Sequence, residues 1–162
     1  MNETAAIRFR LNGAEQTVEA PANTVLIDLL RDRFGLRGVK ASCERGVCGS
    51  CTCLVDGLPA ASCSVFAFEV DGTHVETVEG LAAEGELSSV QQAFVDEGGF
   101  QCGYCTPGMV LLATALLRRH PRPDADTISS WISSNICRCT GYQMILDSVS
   151  RAARQSGDGG AA

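Results

Sequence analysis

The chain has 162 residues, of which 45% are hydrophobic and 20% are charged, and its formal net charge is −6. This length and apolar content suffice for one ordinary domain or two small ones, and they exclude an intrinsically disordered chain. The negative charge argues against a nucleic-acid-binding protein, which would carry a basic patch. No apolar run approaches the roughly 18 residues that a membrane-spanning helix needs.

The first half of the chain predicts two β-hairpins around one helix. Ala5–Leu11 alternates apolar and polar side chains, and the Asn12-Gly13 pair after it is a strong hairpin-turn signal. A return strand runs to about Ala20, and a helix follows over about Val25–Phe34. Three more strands are expected, at Thr52–Val55, Ser64–Val70 and His74–Val78.

Between that helix and the third strand lies a loop rich in cysteine and glycine. Its thiols have the spacing C-x4-C-x2-C, then eleven residues, then C, which is the plant-type ligand pattern of a [2Fe–2S] cluster. Gly46 and Gly49 can adopt positive φ, so that backbone N–H groups approach bridging sulfides. The four cysteines of this pattern are Cys43, Cys48, Cys51 and Cys63.

From Gly80 onward the apolar period changes from two to about 3.6, which predicts helices. A four-helix segment is therefore expected over residues 79–155, after a sheet domain over residues 1–78. The Gly- and Ala-rich tail, residues 156–162, is expected to be disordered. The four helices are predicted over Ser88 or Ser89 to Val95, from Thr106-Pro107 to His120, from Asp126 or Thr127 to Ser134, and over Gly141–Ala153 with Thr140 as cap.

This helical segment carries a second set of four cysteines, Cys102-x2-Cys105 and, thirty-one residues later, Cys137-x-Cys139. Helix N-termini that follow Cys105 and Cys139 would favour thiolate and cluster charge. Spacing alone leaves two metals open here, because four thiolates suit zinc as well as an iron–sulfur cluster.

Three motifs together resemble the molybdenum hydroxylases of the xanthine dehydrogenase family. They are CERGVCGSCTCLVDG from Cys43, QCGYCTPGMV at Gln101–Val110 and NICRCTGY at Asn135–Tyr142. The resemblance covers nearly the whole chain and implies an α+β fold, in which a β-grasp, plant-type ferredoxin domain precedes a four-helix [2Fe–2S] domain. It implies two [2Fe–2S] clusters, bound by the two cysteine sets in chain order.

The resemblance also implies partners and an electron path. The chain is similar in length to the small subunits of three-subunit members, whose large subunit binds the molybdopterin cofactor and whose medium subunit binds FAD. A heterotrimer or a dimer of heterotrimers is expected. Electrons would pass singly from the molybdopterin through the Cys102 cluster and the Cys43 cluster to FAD. Gln101 matches the residue that reaches the pterin, although it could also be a loop glutamine bonded locally.

No catalytic residue is expected on this chain itself. The ninth cysteine, Cys53, stands where this family usually has a small apolar residue, and we interpret it as a buried thiol; a spare cluster ligand is the alternative. Nine cysteines without an export signal favour metal over disulfides and a cytoplasmic location. Two other functions stay open, a free-standing diffusible ferredoxin and a zinc-binding interaction module.

Overall fold

Five strands and four longer helices make up the described part of the structure, a computed structural model that covers residues 4–82 and 85–158. The strands all precede residue 77 and the longer helices all follow residue 88, so the fold is α+β, as the sequence predicts. The prediction of a disordered tail partly concerns residues 159–162, which lie outside the described residues.

The sheet has five strands in the order β2-β1-β5-β3-β4. The pair β1–β5 is parallel, and the pairs β1–β2, β3–β4 and β3–β5 are antiparallel. Two hairpins are present, with turns at Asn12-Gly13 and Asp56-Gly57 in which all four residues have positive φ. This geometry favours Asn, Asp and Gly. The second hairpin pairs Thr52–Val55 with Leu58–Ala61 and not with any of the other predicted strands. The strands are β1 (Thr4–Leu11), β2 (Ala14–Pro21), β3 (Thr52–Val55), β4 (Leu58–Ala61) and β5 (His74–Glu76).

One helical segment packs against this sheet. It begins as α1, Leu26–Asp28, and continues as a π-helical turn, Leu29–Arg33, in agreement with the predicted helix. Leu26 and Leu30 are completely buried, and the inward faces of β1 and β2 supply the opposite side of the core. This apolar core also contains the side chains of Cys51 and Cys53.

The prediction of a strand at Ser64–Val70 is wrong. Short 3-10 turns occupy Ser62–Ser64 and Ala67–Val70 instead. The backbone between them bonds to the chain just before α1, with Leu26 N donating to Val65 O at 2.8 Å and Ala67 N donating to Thr24 O at 2.8 Å. The segment therefore pairs with the entrance to a helix, which has too few free backbone groups to extend a ladder.

Four helices pack around a second apolar core in the other half of the chain. The third of them starts earlier than predicted, because Asp124 accepts the Thr127 N–H at 2.8 Å and so acts as its N-cap. The last helix continues to Asp158, three residues into the segment predicted to be a disordered tail. The helices are α2 (Ser89–Asp96), α3 (Thr106–Arg119), α4 (Ala125–Ile132) and α5 (Gln143–Asp158).

The helix α3 joins the two halves. Leu54 of β3 is fully buried against Leu111 and Ala115 of α3. At the edge of this contact, the Arg118 guanidinium donates two hydrogen bonds to the Glu76 carboxylate, at 2.7 and 2.9 Å. Within the described residues, every helix is too short or too polar to cross a lipid bilayer.

Candidate metal centres

The first cysteine loop is folded so that its backbone donors point at sulfur. Gly46 N donates to Cys63 Sγ at 3.2 Å, and Cys48 N donates to Cys43 Sγ at 3.4 Å. Gly46 has φ +70°, and a Cβ there would lie 2.7 Å from the Ser64 hydroxyl. Glycine at this position therefore allows the close approach of backbone to sulfur.

The structure brings four sulfurs together in pairs: the three of this loop and that of Cys63, which follows β4. Cys51 Sγ lies 3.4 Å from Cys63 Sγ, and Cys43 and Cys48 are near enough for their side chains to interact by hydrogen bonding. Two thiolates on one tetrahedral metal, at about 2.3 Å each, stand about 3.8 Å apart. The observed separation is thus close to that of two ligands on one metal ion.

The members of this loop differ in proton affinity. Backbone N–H groups of Arg45, Cys48 and Val47 lower the pKa of Cys43 to about 6, because they stabilise the thiolate. Burial raises the pKa of Cys51 to about 11 and makes it the proton donor to Cys63. Binding of a metal would displace such protons, since thiolates are the ligands.

The second cysteine set lies where α3 begins and where the loop before α5 returns to it. Cys105 immediately precedes α3 as its N-cap, and Cys102 Sγ lies 3.5 Å from Cys139 Sγ. The Thr140 hydroxyl lies 3.1 Å from Cys137 Sγ and accepts the Tyr142 N–H at 3.1 Å. The prediction that Thr140 caps the last helix is wrong, because α5 begins at Gln143 and the Thr140 hydroxyl bonds within the loop before it.

These four thiols are also arranged as two proton-sharing pairs. Burial and the neighbouring Cys137 raise the pKa of Cys105 to about 12. Burial acts to raise the pKa of Cys137, but hydrogen bonds from Thr140, the Cys139 backbone and Cys105 outweigh it and lower the pKa. The backbone N–H of Tyr104 and the Cys139 thiol lower the pKa of Cys102, whereas donation to Cys102 raises that of Cys139.

The arrangement of the cysteines in pairs fits a [2Fe–2S] cluster at each site, because each iron of such a cluster binds two protein sulfurs. Within the described residues, no three His, Cys, Asp or Glu side chains surround one metal position. The pairs given by distance and proton sharing are Cys43 with Cys48, Cys51 with Cys63, Cys102 with Cys139, and Cys105 with Cys137.

The two sites differ in exposure. No cysteine of the first set is exposed, and Cys51 is buried, whereas Cys102 and Cys139 of the second set are exposed. Gln101, next to Cys102, is also exposed, and its side chain therefore reaches the surface beside the second site. This edge of the molecule is open to a partner.

Cys53 lies on the same face of β3 as Cys51, within the apolar core of the first half. It is fully buried, its Sγ faces the Ala60 carbonyl oxygen at 3.8 Å, and burial raises its pKa to about 12. A thiol in this environment behaves as a small hydrophobic side chain.

Sequence reasoning missed the residues that join the two sites. Ile136 N donates to Cys48 O at 2.9 Å, so a residue beside Cys137 bonds to a cysteine of the other set. Asn135 is buried and bonds to Thr52, and the Tyr104 hydroxyl donates to the Ala41 carbonyl. The available signal was the position of Asn135 at the start of the second cysteine motif, two residues before Cys137.

Comparison with known proteins agrees with two cluster sites. A family described as "2Fe-2S iron-sulfur cluster binding domain" matches residues 9–83, and one described as "[2Fe-2S] binding domain" matches residues 77–150. These matches indicate two [2Fe–2S] clusters in the chain.

Whole proteins of similar length also match. The xanthine dehydrogenase iron-sulfur-binding subunit of Escherichia coli O157:H7 is 44% identical over 151 residues, which cover 91% of this chain and 94% of the relative. The nicotinate dehydrogenase small FeS subunit of Eubacterium barkeri is 44% identical, over 88% of this chain and 91% of the relative. A chain of the quinoline 2-oxidoreductase crystal structure from Pseudomonas putida 86 superimposes with a TM-score of 0.91 at 39% identity, covering 96% of this chain and 98% of that one.

Two family matches in chain order, the paired sulfurs beneath them and near-complete coverage of small-subunit relatives all agree. The chain belongs to the family of two-cluster iron–sulfur subunits of xanthine dehydrogenase and related molybdenum hydroxylases.

Proposed function

We propose that this protein relays single electrons between a molybdopterin centre and FAD, both held by partner subunits. As a family member it is a subunit of an oxidoreductase, and the relatives named above are parts of xanthine, nicotinate and quinoline oxidoreductases. The observation that carries the proposal is the pairing of sulfurs at 3.4 and 3.5 Å in two separate loops. A [2Fe–2S] cluster supplies one-electron transfer.

The proposed ligand sets follow the two loops. The first loop holds its cluster from the edge of the sheet, with Gly46 N–H and Cys48 N–H donating to ligand sulfur. Hydrogen bonds of this kind help set a cluster's potential. The proposed ligands are Cys43, Cys48, Cys51 and Cys63 for one cluster and Cys102, Cys105, Cys137 and Cys139 for the other.

The orientation toward the partners rests on exposure. Cys102, Cys139 and Gln101 lie at one open edge, where we place the large molybdopterin-binding subunit with Gln101 in contact with the pterin. The first loop then faces the medium, FAD-binding subunit. Hydroxylation of the substrate, with oxygen from water, takes place on the large subunit, and this chain supplies no catalytic residue.

We further propose two domains, an assembly with two kinds of partner subunit and a cytoplasmic location. The two apolar cores support a β-grasp ferredoxin domain over residues 1–78 and a four-helix domain over residues 79–155. We propose a heterotrimer or a dimer of heterotrimers. Nine free thiols suit the reducing cytoplasm, where we place the complex.

Anaerobic co-purification with the partner subunits tests the proposal. We expect about four irons and about four acid-labile sulfides per copy of this chain, with two distinct paramagnetic signals after reduction. A colourless, zinc-loaded preparation without sulfide would overturn it in favour of a zinc module. A stable brown chain that never associates with a partner would instead identify a diffusible ferredoxin.

A further inference from the structure

We propose that Asn135 is a positioning residue that fixes the separation of the two cluster loops, and so of the clusters they hold. This inference rests on the proposed function and adds the part that joins its two centres. Neither Asn135 nor Ile136 is a proposed ligand of either cluster.

The backbone hydrogen bond links one proposed ligand of each cluster. Cys48 O accepts the Ile136 N–H at 2.9 Å, and Ile136 precedes Cys137 in the chain. A continuous path of covalent bonds and one hydrogen bond therefore joins Cys48 Sγ to Cys137 Sγ. This hydrogen bond holds the backbones of the two cluster loops against each other.

Asn135 holds this bond in place from the side. It is only 4% exposed, and its Nδ2 donates to Thr52 Oγ1 at 3.3 Å. The Thr52 hydroxyl in turn donates to Gly49 O at 2.7 Å, one residue after Cys48. A buried amide in such a network is costly to leave without its partner, so the network holds the two loops in one arrangement.

The first loop approaches Asn135 and α3 closely because glycine stands at both contacts, Gly49 in the loop and Gly108 in α3. A Cβ on Gly49 would overlap the Asn135 side-chain amide, and a Cβ on Gly108 would lie 2.5 Å from Gly49 O. Neither position has room for a methyl group. The contact between the loops is thus fitted to the Asn135 side chain.

The Asn135 backbone is tied to the second cluster loop as well. The Tyr142 hydroxyl donates to Asn135 O at 3.2 Å and accepts the Cys137 N–H at 3.0 Å. Asn135 therefore contacts the first loop by its side chain and the second by its backbone, so a change in its position alters the distance between the loops.

The variant Thr52→Val tests the network in the assembled complex with the least change in shape. It removes the hydroxyl that Asn135 and Gly49 share, while Thr52→Ser keeps that hydroxyl. With both clusters reduced, we expect loss of part of the magnetic splitting between them in Thr52→Val and in Asn135→Ala, together with slower transfer between them. Thr52→Ser should restore both quantities.

Iron and sulfide content separates this test from the proposed function. If the unmodified complex shows no pair of [2Fe–2S] signals, the proposed function itself fails. If Thr52→Val and Asn135→Ala keep full iron, full splitting and the normal transfer rate, the positioning role is overturned. Asn12→Ala is the matched control. Asn12, in the β1–β2 turn, also bonds a threonine, Thr77, which follows β5, and neither residue belongs to a cysteine loop, so this variant should leave the splitting unchanged.

Discussion

Replacing Gly49 by alanine tests the close contact between the two cysteine loops most directly. Gly49 has φ +70°, and an added Cβ would meet the Asn135 amide and lie 2.9 Å from Asn135 Cβ. Alanine in the left-handed region costs about 1–2 kcal/mol. Overpacking against a buried side chain costs about 1–3 kcal/mol more, and loss of one buried hydrogen bond costs about 1 kcal/mol. We therefore expect Gly49→Ala to lower the free energy of unfolding by about 3–6 kcal/mol.

Gly57→Ala is the matched control. Gly57 has φ +78° in the β3–β4 turn, and a Cβ there would meet no atom within 4 Å. It carries the backbone cost alone, so we expect a loss of about 1–2 kcal/mol. Anaerobic urea unfolding of the cluster-loaded protein, followed by circular dichroism and visible absorbance, measures both. Equal losses in the two variants would refute the claim that Asn135 closes the space beside Gly49.

Three further predictions follow from the cysteines and the ion pair between the halves. Cys53→Val should leave both paramagnetic signals intact and change the free energy of unfolding by less than about 1.5 kcal/mol, because the swap stays apolar in a closed core; loss of either signal would make Cys53 a ligand. Cys63→Ser and Cys139→Ser should each abolish a different signal and lower iron from about four to about two per chain; loss of the same signal in both would contradict the assignment to two sites. Arg118→Met should lower the free energy of unfolding by about 1 kcal/mol at neutral pH. Arg118 lowers the Glu76 pKa, so this stabilisation is present above the ordinary glutamate pKa of about 4.3 and disappears as pH falls through the lowered value. Urea titrations across that range should show the difference between wild type and variant shrinking toward acid, and a constant difference would contradict the assignment.

Local signals predicted most of the elements. Residues in the turn pairs Asn12-Gly13 and Asp56-Gly57 have positive φ, which Asn, Asp and Gly adopt most readily. The pair Asn12-Gly13 therefore identifies the first hairpin from the sequence alone. Thr106-Pro107 marks the start of α3 for the same kind of reason, since proline is tolerated where helix N–H groups have no partner. Elements such as these depend on a few neighbouring residues and can be read from the chain.

The errors occur where distant residues decide the local conformation. The segment after Ser64 has strand-like residues, but its backbone bonds go to Thr24 and Leu26, which no short window contains. The N-cap of α4 is Asp124 and not the later candidates, because the loop from α3 leaves its carboxylate beside Thr127 N–H. Local propensity cannot settle such choices.

The order and spacing of eight cysteines by themselves indicated two metal-binding sets of four thiols, and the plant-type spacing of the first set indicated a [2Fe–2S] cluster there, because a short loop limits how its ligands can be arranged. Only the tertiary structure decided which sulfurs pair and how the two loops meet at Asn135, Gly49 and Ile136. The reason is physical. The contacts between the loops join residues more than eighty positions apart, and they form only when α3 packs on β3 and the two halves close on each other.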